Sequence, residues 1–494
     1  MTAITHEVRE FPGAAPVGLR AVPEAGPPGE VRLRVSPVEL RHTIGLLRSS
    51  GARFITMTLC REPERSILVV LAHRGTLIVL RTPDEDCRVL DGGFGEQWAA
   101  VAWAERELRE RHGLTPEGRL FTAPDADALD RHVDGLDAFV IPYGPVRSGI
   151  FEAIQFQIET GGENVVALQT RPFFKHRGME QRFRGMPATD AVHVAERVAG
   201  IASVAYASAF SQAVERAMGI EVSAVAQRWR AVHAELERIA CHLDVVAKEA
   251  ETTALYVGQA RFQILKERAM RLRARLSGSR FGRGVVCPGG VRFFPAVDRR
   301  ELLGEIDELE RQFSRDRKLF IATASMTDRL IGSGHLAREL IDEYGAVGPL
   351  ARGSGVATDA RHERPYGDYR KLGLLVMTRR EGDAMARVNV RFDEIAESLR
   401  ILRQALEHLA PVVDEQTDAP PERPSGSAWG WTEAPQGELL VWVEIEDGVL
   451  TNVHLASPSF RNWALFDHAF PKDVLTDFAF IEHSFGLTPA GADR

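Results

Sequence analysis

The chain has 494 residues, 44% of them hydrophobic and 26% charged, the balance of a globular protein long enough for two or three domains with cores of their own. Its net charge of -8 excludes a strongly basic surface for neutralising phosphates, so nucleic acid is not an expected partner. Cys60, Cys87, Cys241 and Cys287 lie far apart with no Cys-x-x-Cys pair, which excludes a locally encoded zinc or iron–sulfur site and fits a reducing compartment.

The first 35 residues, rich in Pro, Gly and Ala between 11 and 30, read as a flexible leader. Glu7, Arg9 and Glu10 do not form the basic-then-apolar pattern of a signal peptide, and no apolar run reaches the ~20 residues that span a bilayer. A cytoplasmic protein held at the membrane only through partners is expected. Ser36-Pro37 opens a helix carrying Leu40, Ile44 and Leu47. The runs Ile67–Leu71 and Leu77–Leu80 flank the turn at His73-Arg74-Gly75 as a hairpin. An amphipathic helix over Trp98–Leu114 completes a small α+β domain spanning 36–125. Arg119–Pro145 reads as an Asp-rich connector.

A second domain, 140–494, begins with a hairpin: Phe151–Ile158, a turn at Gly161-Gly162, and a return through Val165–Leu168. The pattern then becomes helical. Val225, Trp229, Val232, Leu236, Ile239, Leu243 and Val246 form one apolar stripe, and Ile395, Leu399, Leu402, Leu406 and Leu409 form another, as in a helical bundle core. The basic run Lys266–Arg283 reads as a solvated helix face or a contact with an acidic partner. Residues 411–437 read as a Pro/Gly/Ser-rich linker. Glu438–Ile445 and Val449–Leu455 then flank Asp447-Gly448 as a hairpin. The aromatic residues of the tail, Trp463 to Phe480, are too many to stay exposed. The expected fold class is α+β: the small N-terminal domain, then a large helical bundle with a β subdomain.

Motifs along the chain carry a resemblance. WAAVAWAERELRERHGLTPEGRL (Trp98–Leu120) resembles the signature of the small hydrophilic C subunit of complex I, the NADH-quinone oxidoreductase. GPVRSGIFE (Gly144–Glu152), KHRGME (Lys175–Glu180), ELERIACHL (Glu235–Leu243), SGSRFGRGVVCPGGV (Ser277–Val291), GPLARGSGVATDARHERPYGDY (Gly348–Tyr369) and ASPSFRNW (Ala456–Trp463) follow in order. They resemble both the D subunit of complex I and the large subunit of group 4 membrane-bound nickel–iron hydrogenases of hydrogenase-4 or formate hydrogenlyase type. The resemblance implies a C-type domain fused to a D-type domain. It also implies a small-subunit partner carrying an iron–sulfur cluster, like the B subunit of complex I, and membrane subunits of complex I or antiporter type.

Within that resemblance the metal ligands are missing. Glu196–Ala205 (ERVAGIASVA) falls where the hydrogenases carry Arg-x-Cys-Gly-x-Cys, with Ala199 and Ala202 at the cysteine positions. Ser484–Arg494 (SFGLTPAGADR) falls where they carry the second pair, with Thr488 and Gly491 in place. Nickel and iron need soft thiolates, so no nickel–iron centre and no cofactor is expected in this chain. The complex I branch brings NAD and quinone chemistry to the whole assembly. Its quinone-binding tyrosine position falls on Gly200 and its histidine position near Arg147–Gly149, so neither proton donor is present.

The remaining candidates form a supporting shell. Glu180 and His176 come from KHRGME, Asp359 and Arg361 from the GSGVATDARHERPY loop, and Tyr206 stands one turn beyond Ala202. The four charged residues could form a proton relay or hold a small polar ligand; they could equally be an ion-pair network joining loops to bundle. Tyr206 is either a cavity group or a core tyrosine. Arg238 and His242, four apart, are expected to tie one helix to its neighbour, and Cys287 to be a buried structural thiol. Two functions follow: a large-subunit component of a hydrogenase-like or complex-I-like electron-transfer complex, or a redox-inactive scaffold that keeps only the subunit interfaces.

Overall fold

The computed structural model describes residues 19–61, 64–83, 93–111, 139–147, 152–292, 298–407 and 425–494. The N-terminal sheet has five strands: β1 (Val22–Glu24), β2 (Glu30–Arg34), β3 (Arg53–Cys60), β4 (Ser66–His73) and β5 (Thr76–Pro83), in the order β1-β2-β5-β4-β3. β4 and β5 form the expected hairpin, with Arg74 at φ 47 and Gly75 at φ 79 in the turn. A Cβ on Gly75 would lie 2.6 Å from the Glu363 carbonyl oxygen, so glycine also permits the close approach of the second domain. The leader expectation needs correcting. Residues 1–18 lie outside the described part, but 22–34 supply two strands, and β2 pairs in parallel with β5. That pairing partner lies more than forty residues away in sequence, where local composition carries no trace of it.

The helix Pro37–Ser49 and the helix Ala99–Arg111 cover this sheet, with Phe54 and Trp98 packed edge to face at 6.0 Å. The end of the expected connector is a strand, β6 (Phe139–Tyr143), which pairs with β7 (Gln155–Thr160) and through it β8 (Val165–Arg171). The rest of the connector lies outside the described residues.

Five long helices follow: Ser203–Met218, Ala224–Thr252, Tyr256–Ser277, Arg299–Ile321 and Ala384–Glu407. Ser223 caps the second by accepting the Ala226 N–H at 3.1 Å. Its stripe from Trp229 to Val246 is buried against the others, each large side chain contributing about 1.5–3 kcal/mol. The basic run is not a free patch: Lys266 pairs with Asp244, Arg275 with Glu301 and Glu305, and Arg273 is buried. The short pair β9 (Val286–Cys287) and β10 (Gly290–Val291) leaves the Cys287 thiol half-buried rather than buried.

The last sheet is β11 (Gly426–Ala434), β12 (Gly437–Glu446) and β13 (Val449–Ala456). The expected linker 411–437 is thus a strand from 426 onward, while 408–424 lie outside the described residues. β11 lies on the helix Ser203–Met218 so closely that a Cβ on Gly430 would sit 2.0 Å from the Ala209 carbonyl oxygen. Glycine in that stretch thus serves packing rather than flexibility. The outer faces of the two main sheets share one core, in which Ile55, Leu68 and Val70 meet Trp429, Trp431 and Trp442.

Candidate functional site

The segment Glu196–Ala205 runs through a short 3-10 turn, Gly200–Ala202, into the helix Ser203–Met218. Ala199 and Ala202 are buried, whereas Gly200 and Ile201 face outward. Arg177 ties this segment to the C-terminal one. Its guanidinium donates to the carbonyls of Val198, Arg197 (2.9 Å) and Ala490 (3.4 Å), and its backbone N–H donates to the Asp493 carbonyl at 2.9 Å. The segment that holds Ala199 and Ala202 and the segment that holds Thr488 and Gly491 therefore meet.

The C-terminal positions are closed as well as donor-poor. Thr488 Oγ1 donates to Glu152 at 3.2 Å. A Cβ on Gly491 would meet Ser457 Oγ at 3.0 Å, Thr488 Cγ2 at 3.2 Å and Ser459 Cβ at 3.3 Å. A nickel–iron centre does not fit these residues: alanine offers no donor atom, and neighbouring side chains crowd position 491. Among the described residues no group of three or more His, Cys, Asp or Glu is placed to hold a metal ion.

Beside this region, Glu180 Oε1 accepts from the Leu455 N–H at 2.8 Å and Arg494 Nε at 3.2 Å, and His454 Nδ1 lies 3.1 Å away. Arg494 continues to Glu107 Oε2 at 2.7 Å and stacks on Phe460 at 4.4 Å. Tyr206 is buried, its hydroxyl hydrogen-bonded to Ser457 within reach of the charges of Arg494 and Arg177; burial pushes its phenol above the usual range. His176 is exposed and, with Glu180, lines a groove of about 560 Å3 between the helix Ala99–Arg111 and β3 on one side and the KHRGME loop on the other. Asp493 holds the N–H groups of Phe173 (2.7 Å) and Lys175 (3.3 Å), and burial raises its carboxyl to about 6.

Asp359 and Arg361 find their partners elsewhere: each other, Arg352 of the short helix Gly348–Gly353, and Glu235 of the long helix Ala224–Thr252. Asp359 caps Arg361 N and takes its guanidinium in two hydrogen bonds, and Arg361 reaches Glu235 at 3.0 Å. Tyr369 and Ser398 also donate to Glu235. Arg352 binds Glu394 (2.6 Å), Glu433 (2.8 Å) and Asp359 (3.5 Å), while His242 binds Glu394 at 2.8 Å. Burial opposes the Glu394 anion, but Arg352 and His242 outweigh it and hold that carboxyl well below its usual range. Burial and then Asp359 raise Glu433. Arg238 donates to the carbonyls of Glu433 and Ala434, so it and His242 tie their helix to its neighbours. Sequence reasoning placed Arg177 beside Glu180 and Arg494 in the closing Asp-Arg pair, but it did not find Glu107, Glu394 or Glu433; the signal these three share, charge in otherwise apolar surroundings, becomes visible only once burial is known.

A small N-terminal α+β domain joined to a large helical bundle, with two distant segments crossing at Arg177, has counterparts among known proteins. Residues 250–494 match the family of the respiratory-chain NADH dehydrogenase 49 Kd subunit. The chain is 28% identical to formate hydrogenlyase subunit 5 of Escherichia coli K12, across 80% of this chain and 75% of that one. It is 28% identical to hydrogenase-4 component G of the same organism, across 86% and 79%. The D subunit of NADH-quinone oxidoreductase from Saccharopolyspora erythraea is 26% identical, across 81% and 98%. A chain from the structure of the membrane-bound sulfane sulfur reductase, an archaeal respiratory membrane complex, superposes with a TM-score of 0.69 at 26% identity, over 74% of this chain and all of that one. The chain is related to both branches that the order of its motifs implies.

Proposed function

We propose that this chain is the large-subunit component of a membrane-associated oxidoreductase of hydrogenase-4, formate hydrogenlyase or complex I type, that it docks an iron–sulfur small subunit, and that it has lost the nickel–iron ligands. The observation that carries the reading is the meeting, through Arg177, of the segment that holds Ala199 and Ala202 with the segment that holds Thr488 and Gly491, in a fold whose relatives work in such complexes. The docking surface is the face around Gly200. Ile201 and Phe281 are exposed there (37% and 45%), Arg283 stacks on Phe281 at 5.4 Å, and Arg197 stands beside them. Exposed apolar side chains flanked by arginines have the composition of a protein interface. No described helix is long and apolar enough to cross a membrane, so attachment to the inner face of the cell membrane is assigned to antiporter-type partner subunits. Quinone reduction is not assigned to this chain, because Gly200 supplies no proton donor. NAD chemistry belongs to the assembly.

Purification of the whole complex with metal analysis tests the reading. Iron with no nickel is expected; stoichiometric nickel overturns the loss of ligands. Ile201→Glu with Phe281→Glu should release the iron-containing partner while the chain stays folded, and retention of that partner refutes the docking face. The alternative, a redox-inactive scaffold, is favoured by the share of charged residues spent on internal ties. A formate-dependent or quinone-reduction assay of the complex separates the two: activity lost with Glu180→Gln marks a redox module, and no such dependence marks a scaffold.

A further inference from the structure

A cavity of about 470 Å3 lies between the helix Ser203–Met218, the helix Ala224–Thr252, β11 and the loop at Pro365–Arg370. It is of ligand size and has room for water. Its walls carry polar groups whose hydrogen-bonding capacity the protein leaves open. Ser208 is 5% exposed, and its hydroxyl has no partner among the described residues. The Tyr366 hydroxyl accepts the Glu433 N–H at 3.0 Å and keeps its own proton to donate. Glu215, by contrast, is fully engaged by Arg230 and the Gly289 N–H.

Glu237 closes the inner end. It is 4% exposed, and its two oxygens each take one N–H of the incoming helix, Val204 at 2.7 Å and Ala205 at 3.0 Å. Each oxygen therefore has an acceptor position to spare. Arg273 Nη1, from the neighbouring helix Tyr256–Ser277, stands 3.9 Å away, beyond hydrogen-bond range. Arg238 and Cys241, on its own helix, also interact with it, and Glu215, Arg230 and Tyr366 line the same cavity. Buried polar groups with open positions are satisfied by water when there is room for it, and here there is room.

We infer that this cavity is a proton-exchange site: its water carries protons between the surface and the Glu237 carboxyl, whose charge sets the grip on the start of the helix Ser203–Met218. The step is simple in atoms: a hydronium proton moves to one carboxylate oxygen, leaving water and a neutral acid. The anion suits two N–H groups at a helix N-terminus. The neutral acid turns one oxygen into a hydroxyl and weakens one of those two bonds. The Gly200–Ala202 turn lies directly before these N–H groups, so the proton state of the cavity reaches the docking face. Burial, opposed by Arg273, raises the Glu237 carboxyl to about 7, so both forms are populated near neutral pH. The folded chain thus keeps a proton between about pH 4.5 and 7 that the unfolded chain releases, and this contribution to stability is lost as pH rises through that window.

Infrared spectroscopy of the full chain in H2O and D2O tests this. In the difference between wild type and Glu237→Gln, a protonated carboxyl band should fade near pH 7 and shift in D2O within the mixing time. Ala234→Trp, or Ala231→Leu if the larger residue unfolds the chain, should keep the band but slow its exchange at least tenfold. A difference spectrum with no such band, or exchange unchanged in the filled cavity, overturns the inference. So does a tightly held organic molecule, released on denaturation and seen by mass spectrometry, that keeps the cavity dry.

Discussion

Arg494 Nη2 lies 2.7 Å from Glu107 Oε2, and both side chains are buried. This pair joins the C-terminal segment to the helix Ala99–Arg111 of the N-terminal domain, while Arg494 Nε holds Glu180 on its other side. One guanidinium thus fixes the KHRGME loop, the tail and the first domain relative to one another.

Arg494→Met removes the cation that two buried carboxylates share. Breaking a buried pair on one side costs about 3–5 kcal/mol. Urea unfolding should show a loss of that order, and Glu107→Gln with Arg494→Met should recover part of it. A loss below about 1 kcal/mol refutes the structural weight given to this contact.

Arg352→Met leaves Glu394, Glu433 and Asp359 facing one another without their common partner. We expect a destabilisation of about 3–5 kcal/mol at pH 7. Lowering the pH should ease the repulsion by protonating one acid, so the deficit measured by denaturant midpoint should shrink at pH 5.

His242 is buried against Glu394, and burial lowers its ring to about 4 from 6.5. Between those values the unfolded chain binds a proton that the folded chain excludes, so stability falls as pH drops through that window. His242→Gln keeps a donor toward Glu394 but cannot titrate. The difference between wild type and variant should narrow from pH 7 to pH 4.5; parallel curves would show that His242 does not contribute.

Introducing cysteine at 199, 202, 488 and 491 should not create a nickel site. Gly491→Cys alone should cost on the order of 1–3 kcal/mol by overpacking, since its Cβ falls 3.0 Å from Ser457 Oγ. Thermal unfolding and metal analysis of the fourfold variant check both halves; a stable protein holding one nickel per chain refutes the prediction.

The bundle is legible in the sequence because its stripes are long: Trp229 to Val246 repeats over five turns, and tertiary burial follows that repeat. The hairpins at Gly75 and Gly448 are legible from their turn residues. β2 and β11 are not: β2 owes its strand state to the distant β5, and β11, though it pairs with the adjacent β12 across Pro435-Gln436, begins in Pro- and Gly-rich surroundings that read as a linker. For the site, the order of motifs places Glu180 and Tyr206 near the Arg177 crossing. It does not show that Arg361 reaches Glu235, 126 positions away, because a contact between residues so far apart leaves no mark in a single sequence; Asp359, by contrast, meets Arg361 and Arg352 locally.

The core in which Ile55, Leu68 and Val70 meet Trp429, Trp431 and Trp442 has a further consequence. Where two such domains are separate polypeptides, their association depends on concentration and their numbers must be matched. Here the ratio is fixed at one to one by translation, dilution cannot part them, and the tether supplies an effective concentration that no free pair attains in a cell.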